Sequence, residues 1–294
     1  MTPDRWQHLG SLHLRHSEVY ALVSAVVVSR RALWVVDPGF LPAEVDDIRL
    51  QVNRLLSRLA PRARYLLLTH ADFDHIVGVH AFSDFQVIAA QAAVRRLPGR
   101  LVRAQAVDGE LLVSRPQAAY EPFPIARLVA QSSLDIAGAT LYPGAGHTTD
   151  GVLADLTASD GQRLVVAGDY LSALEGPHIG HWASVTATFE TLARLLGSTD
   201  WLVVGHGAAA DQPDAWRRLG TDAGYLADLL RKRADGWPRD HVLAGPPPLG
   251  PTPVEAARYH RDNVHSLFRT VPQQAARALA ERMTGVAEVS RRRS

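Results

Sequence analysis

Seven side chains, at four places in the sequence, have the types and spacing that bind metal ions. His70, Asp72, Asp74 and His75 fall within six residues, just past the apolar run Tyr65 to Leu68. His147 follows the turn Pro143-Gly144-Ala145-Gly146, Asp169 follows Ala167-Gly168, and His206 lies between Gly205 and Gly207. Taken one at a time, each has a plain structural explanation: Asp74 as a helix N-cap, Asp169 as a turn residue, a lone histidine as a solvated side chain. Taken together they do not. Four acidic or imidazole groups within six residues would repel or desolvate one another without a cation. Four histidines and three carboxylates suit two divalent cations rather than one. The chain has thirteen histidines and no cysteine, so imidazole and carboxylate are its available ligands. The lack of cysteine also excludes a disulfide scaffold, an iron–sulfur cluster and a thiol nucleophile.

Ligands at the ends of neighbouring strands converge, and the pattern predicts such strands. Val19 to Val28 and Ala32 to Val36 read as an antiparallel pair ending at Asp37-Pro38-Gly39. Pro42 to Leu59 places Val45, Ile48, Val52, Leu55, Leu56 and Leu59 at helical spacing. Tyr65 to Leu68 reads as a strand buried on both faces. Ile76 to Phe82 reads as helix, Gln86 to Ala90 as strand and Ala92 to Leu97 as a short helix. Residues 101 to 140 read as several strands interrupted by Pro116, Pro122 and Pro124. Ala139 to Tyr142 is a strand. Gly151 to Thr157 and Gln162 to Ala167 read as a hairpin closed by Asp160-Gly161. Ser184 to Leu196 reads as an amphipathic helix and Trp201 to Val204 as a last buried strand. Residues 213 to 235 and 252 to 283 are helical in pattern, with no strand signal, and Ser290 to Ser294 reads as a frayed tail.

These marks resemble the metallo-β-lactamase-fold superfamily of metallohydrolases: Thr69-His70-Ala71-Asp72-Phe73-Asp74-His75, Gly146-His147-Thr148, Gly168-Asp169 and Gly205-His206-Gly207, with Asp37-Pro38-Gly39 upstream. The resemblance covers residues 19 to 207. It implies a four-layer αββα sandwich with a dinuclear metal site at one edge. It assigns His70, Asp72 and His147 to the first metal, Asp74, His75 and His206 to the second, and Asp169 as the bridge. It further implies hydrolysis of an ester, lactone, thioester or amide by a metal-bridging hydroxide, with Asp74 orienting that hydroxide and accepting its proton. Thr69 and Asp37 are candidates to hold the ligands by hydrogen bonds, or else a strand-end threonine and a turn aspartate. The family pattern is His-x-His-x-Asp-His, and here Asp72 replaces the second histidine. Two dications and three carboxylates leave a net charge of about +1, where histidine at 72 would leave about +2. A less positive centre is a weaker Lewis acid, and a hard oxygen ligand tilts preference from zinc towards iron or manganese.

The expected cofactor is therefore two divalent ions, zinc first, with iron or manganese as alternatives. The expected domains are a metallo-β-lactamase-fold domain over residues 1–210 and a helical extension over residues 211–294, packed on it as a pocket lid. Tyr170, His178, His181 and His260 are candidate substrate contacts, with Tyr259, Asn263 and His265 on the same helical stretch as His260, Asn263 lying one turn from both Tyr259 and His260. Each is also readable as ordinary packing or helix surface. The chain has 294 residues, 47% of them hydrophobic, and 31 basic against 30 acidic side chains. That is globular composition with no basic field, so a small-molecule substrate is expected and a nucleic-acid partner is not. No signal peptide or membrane-spanning run is legible, which reads as a cytoplasmic protein. The rival reading is a flavodiiron-like redox enzyme or diiron oxygen-binding protein, suggested by Asp72. A flavin-binding second α/β domain is not legible in the sequence. A non-catalytic metal-binding scaffold is the third reading, and the complete set of metal-competent side chains argues against it.

Overall fold

A buried strand needs apolar residues on both faces, and the longest such runs in this chain form the centre of its first β-sheet. The computed structural model describes residues 5–59, 62–248, 250 and 252–293. Among them the fold is mixed α/β, with two β-sheets and eight α-helices. The chain divides into two compact units: Met1–Pro143 with Asp150–Gly168, and Gly144–Thr149 with Asp169–Ser294.

In the first unit, seven strands lie in sequence order in one sheet: β1 (Trp6–Leu9), β2 (Leu12–His16), β3 (Val23–Val28), β4 (Ala32–Val36), β5 (Ala63–Leu67), β6 (Gln86–Ala90) and β7 (Arg127–Val129). Strands β1 to β4 pair antiparallel, and β4 to β7 pair parallel. Parallel neighbours need crossovers. These are α1 (Pro42–Leu56), the short α2 (Phe73–Ile76) with a following 3₁₀ turn, and α3 (Ala93–Leu111). Every residue of β3 and β4 is buried. Val45, Ile48 and Val52 of α1 and Leu97 and Leu101 of α3 pack into one core with Val26, Leu33, Val35 and Leu66. The unit also holds an antiparallel run of β8 (Leu134–Ile136), β9 (Ala139–Pro143), β10 (Val152–Thr157) and β11 (Arg163–Gly168).

The second unit holds α4 (Trp182–Leu196), the antiparallel pair β12 (Trp201–Val204) and β13 (Ala210–Asp211), then α5 (Gln212–Ala234), α6 (Arg239–Leu243), α7 (Pro253–Thr270) and α8 (Gln273–Arg291). Asp211 caps α5 by accepting from Asp214 N–H at 3.0 Å, and Thr252 caps α7 by accepting from Glu255 N–H at 3.2 Å. Helices α5 and α8 pack along each other, close enough that a Cβ on Gly220 would lie 3.2 Å from Ser290 Cβ.

Four differences from the sequence reading have physical reasons. The reading of residues 101 to 140 as strands is corrected at its start, because α3 continues through Pro98 to Leu111. Ala93, Leu97, Leu101, Ala104 and Val107 keep a buried stripe at three- and four-residue spacing across the proline, and that burial outweighs a cost of about 3 kcal/mol. The helix expected at Ile76 to Phe82 is one α-turn, Phe73–Ile76, followed by the 3₁₀ turn Val79–Phe82. The β1–β2 hairpin carried no strand expectation, because its histidines and arginine broke the apolar pattern of an edge pair. The tail at Ser290 is not frayed: α8 runs to Arg291, with Ser290 buried.

Candidate metal centre

The first unit contributes the loop that leaves β5. In-register parallel pairing of Val36 with Leu67 brings Asp37 beside Thr69. Asp37 is 1% exposed and sits at φ +47°, a left-handed conformation that costs a non-glycine residue about 1 kcal/mol or more. Its carboxylate gathers three donors: Thr69 N–H at 2.9 Å and Thr69 Oγ1 at 2.6 Å, and His75 Nδ1 at 2.9 Å. A carboxylate only accepts, so His75 carries its proton on Nδ1 and its lone pair on Nε2. Thr69 Oγ1 spends its hydrogen on Asp37, so it accepts from His70 Nδ1 at 3.2 Å, and His70 takes the same tautomer. The two buried rings stand 4.2 Å apart. Asp72 Oδ2 lies 3.9 Å from His70 Nε2, and Asp74 Oδ2 lies 3.6 Å from His75 Nε2.

This loop is braced from α3. Arg96 donates to Asp72 Oδ1 at 2.6 Å and also to Asp150, whose other oxygen accepts from Ala71 N–H at 2.9 Å. Arg100 reaches the same Asp72 oxygen at 3.0 Å. One oxygen of Asp72 is therefore given to two guanidinium groups, and the other faces His70. Burial pulls the Arg96 guanidinium down from its ordinary pKa, and the neighbouring Asp72 pushes it back up.

The second unit contributes His147, Asp169 and His206. Tyr170 holds the His147 turn, accepting from His147 N–H at 2.6 Å and donating to Gly144 O at 2.8 Å. A Cβ on Gly146 would fall 2.7 Å from the Tyr170 hydroxyl, so this approach requires glycine. His147 Nδ1 donates to the carbonyl of His178 at 2.9 Å, placing its lone pair on Nε2. Ser172 Oγ donates to His206 O at 2.8 Å, tying the His206 loop to the segment after Asp169. The two oxygens of Asp169 face different rings: Oδ2 is 3.2 Å from His147 Nε2 and Oδ1 is 3.4 Å from His206 Nε2.

These arrangements fit metal ligation. Metal–ligand bonds of about 2.0 to 2.2 Å in tetrahedral array separate neighbouring ligand atoms by roughly 3.4 Å. The four Nε2–carboxylate separations run from 3.2 to 3.9 Å. Hydrogen bonds at Nδ1 that fix the tautomer are the usual support for histidine ligands. His70, Asp72, Asp74 and His75 in the first unit, and His147, Asp169 and His206 in the second, are all side chains able to ligate a metal ion.

The candidate substrate contacts lie in varied surroundings. Tyr170 is buried and spends its hydroxyl on the His147 turn; burial pushes its pKa up. His178 is half exposed, its ring 5.7 Å from that of His147 and 5.4 Å from that of Tyr259. His181 precedes α4 and donates its backbone N–H to Gly146 O at 2.8 Å. His260 is buried among the C-terminal helices, bonded to the Tyr225 hydroxyl at 2.9 Å and to Val242 O at 3.0 Å. Of its neighbours on α7, Asn263 accepts from Ile179 N–H and donates to Pro177 O, both at 2.7 Å, and Tyr259 donates to Glu175 at 2.8 Å. Sequence reasoning missed Arg96, Arg100, Asp150 and Glu175. The four-residue spacing of Arg96 and Arg100 was the one signal available, and it required α3 to pass Pro98.

The model of the metallo-β-lactamase superfamily matches residues 21–207. A search of curated proteins finds no match. Among solved structures, the chain is similar to a metallo-β-lactamase from Hirschia baltica, at 14% identity and TM-score 0.51, covering 73% of this chain and 95% of that one. It is also similar to the metallo-β-lactamase FIM-1 from Pseudomonas aeruginosa in its mono-zinc form, at 16% identity and TM-score 0.52, covering 73% and 92%. At these identities the likeness to solved structures speaks for the fold alone. The family match spans well over half of the chain: the protein belongs to the metallo-β-lactamase superfamily, with a C-terminal helical extension, and is a metal-dependent hydrolase. No helix among the described residues is long and apolar enough to cross a membrane.

Proposed function

We propose that the protein is a dinuclear metallohydrolase that cleaves an ester, lactone, thioester or amide bond in a small molecule. His70, Asp72 and His147 would hold one ion, Asp74, His75 and His206 the other, and Asp169 would bridge them. The observation that carries this reading is Asp169, whose two oxygens each face the Nε2 of a different histidine. One carboxylate that presents a separate oxygen to each of two imidazole nitrogens is suited to two ions. When bound, the ions would supply a nucleophilic water-derived oxygen and a Lewis acid for the carbonyl. The chain's own residues do the remainder. Asp37 and Thr69 fix the tautomers of His75 and His70, Tyr170 and the His178 carbonyl fix His147, and Asp74 can take the nucleophile's proton on a carboxylate oxygen.

Arg96 and Arg100 bear on metal identity. Two guanidinium groups within 3.0 Å of one Asp72 oxygen offset the charge that this aspartate brings. Asp72 then donates less than an isolated carboxylate, the centre regains Lewis acidity, and zinc becomes the favoured ion over iron or manganese. The test is elemental analysis of protein purified without added metal, followed by a panel of lactones, esters, thioesters, amides and β-lactams. Two equivalents of zinc and chelator-sensitive turnover of one class are expected. One ion per chain in metal-replete protein, or no hydrolysis of any class, would overturn it.

A further inference from the structure

Glu175 stands six residues after Asp169, in the segment that ends at the His178 carbonyl supporting His147. Two independent chains of contacts tie it to the ligands of the second unit. Its backbone N–H reaches Ser172 Oγ at 3.3 Å, and that hydroxyl donates to His206 O at 2.8 Å. On the other side, Tyr259 from α7 donates to Glu175 Oε2 at 2.8 Å, the Tyr259 ring lies 5.4 Å from that of His178, and the His178 ring lies 5.7 Å from that of His147. Burial pushes the Glu175 carboxyl up from its ordinary range and the nearby Asp169 adds to this, while His206, the Tyr259 hydrogen bond and His147 pull it down. The carboxylate therefore lies within electrostatic reach of all three ligands. Tyr259 satisfies one of its oxygens. Among the described residues, no donor meets the other.

A half-buried carboxylate with one oxygen lacking a donor repels anions and attracts hydrogen-bond donors. The other charged groups around it are of both signs: Arg258 lies over the Tyr259 ring at 5.1 Å, Asp262 lies 3.8 Å from His178, and the buried Asp222 carboxyl is within electrostatic reach of Glu175. We infer that Glu175, held by Tyr259, sets substrate specificity at the proposed centre, selecting molecules that bring an ammonium, hydroxyl or amide N–H to Oε1 and rejecting those that bring a carboxylate. This rests on the dinuclear hydrolase reading above. It points away from penicillins and cephalosporins, whose bicyclic cores carry a carboxylate, and towards neutral or cationic esters, lactones and amides.

The test uses metal-loaded full-length protein and three hydroxamates of equal length, ending in an ammonium, a hydroxyl or a carboxylate. The hydroxamate head seeks the metal and the tail reads the wall, so no turnover is required. Calorimetry should show the carboxylate tail binding at least about tenfold more weakly than the other two, a gap typical of one uncompensated charge in a partly buried site. Glu175→Gln should shrink that gap to about threefold or less, with metal content by elemental analysis unchanged, and Tyr259→Phe should shrink it less. Equal binding of the three tails by the wild type, or an unchanged gap in Glu175→Gln, would overturn the specificity role and leave the hydrolase reading standing. Loss of metal from Glu175→Gln would make Glu175 a ligand and also overturn it. Failure of every hydroxamate to bind would overturn the metal centre itself, and the role of Glu175 with it.

Discussion

Asp37→Asn exchanges one heavy atom and should disable His75, the histidine hydrogen-bonded to it. In the folded protein the Asp37 carboxylate accepts from Thr69 N–H, Thr69 Oγ1 and His75 Nδ1 at 2.6 to 2.9 Å, and Asp37 is 1% exposed. An asparagine keeps one acceptor oxygen. With its amide nitrogen in the place of Oδ2, it sets a donor against His75 Nδ1–H. Turned over, it sets a donor against Thr69 N–H. The first arrangement is the cheaper, because imidazole can move its proton to Nε2 and accept at Nδ1. That tautomer no longer offers Nε2 to a metal. Hydrogen bonds to a buried charged group contribute about 1.5 to 3 kcal/mol each, and one or two are lost, so the metal-free protein should lose about 1.5 to 6 kcal/mol of stability. Metal affinity should fall about 10- to 100-fold at the ion that His75 serves, the usual result of disturbing a ligand's support. Urea unfolding of the metal-free variant checks the first figure, and chelator competition with metal stoichiometry checks the second. A variant that held both ions with wild-type affinity would refute the tautomer argument, whatever its stability.

Three further outcomes follow from named contacts. Arg96→Gln removes the guanidinium between Asp72 and Asp150 and leaves Asp150, 0% exposed, without its ion pair; urea unfolding should show a loss of about 3 kcal/mol. Asp72→Ala should weaken one ion and leave the one expected at Asp74, His75 and His206, so elemental analysis should fall from two equivalents towards one; two tightly held ions would show that Asp72 is not a ligand. Asp222 on α5 is buried, and burial pushes its carboxyl up to about 8 against the pull of Leu171 N–H and Arg218. The unfolded chain loses this proton near pH 4, so between about pH 4 and 8 it binds fewer protons than the folded chain, and stability falls as pH rises, by at most about 1.4 kcal/mol per pH unit, levelling off above 8. Asp222→Asn mimics the protonated form and should flatten that slope; equal slopes for the two proteins would refute the assignment.

The candidate site was legible in the sequence wherever its residues are neighbours along the chain. His70, Asp72, Asp74 and His75 needed only their six-residue span, and His147, Asp169 and His206 each needed a strand end marked by glycine. Strand β4, strand β6 and the β10–β11 hairpin were equally legible, because a buried strand declares itself by an unbroken apolar run and a hairpin by its turn residues. Helix α3 extends beyond the Ala92 to Leu97 segment expected from sequence because the burial of Leu101, Ala104 and Val107 carries it past Pro98, and that burial is a tertiary effect.

What the sequence by itself determined is the set of metal-competent side chains and the strand ends that carry them, since both are written in residue type and short spacing. What only the tertiary structure decided is which partners those side chains keep. Asp37 meets His75 across 38 residues, Asp150 meets Ala71 across 79 and Tyr259 meets Glu175 across 84. No propensity or period connects residues so far apart. Their meeting depends on strand register and helix packing, which are settled by the burial of the whole core rather than by any segment alone. The tautomers of His70, His75 and His147, the division of Asp72 between two arginines and a histidine, and the hold of Tyr259 on one oxygen of Glu175 all follow from those meetings, and through them the tertiary structure sets the chemistry of the candidate ligands that the sequence supplies.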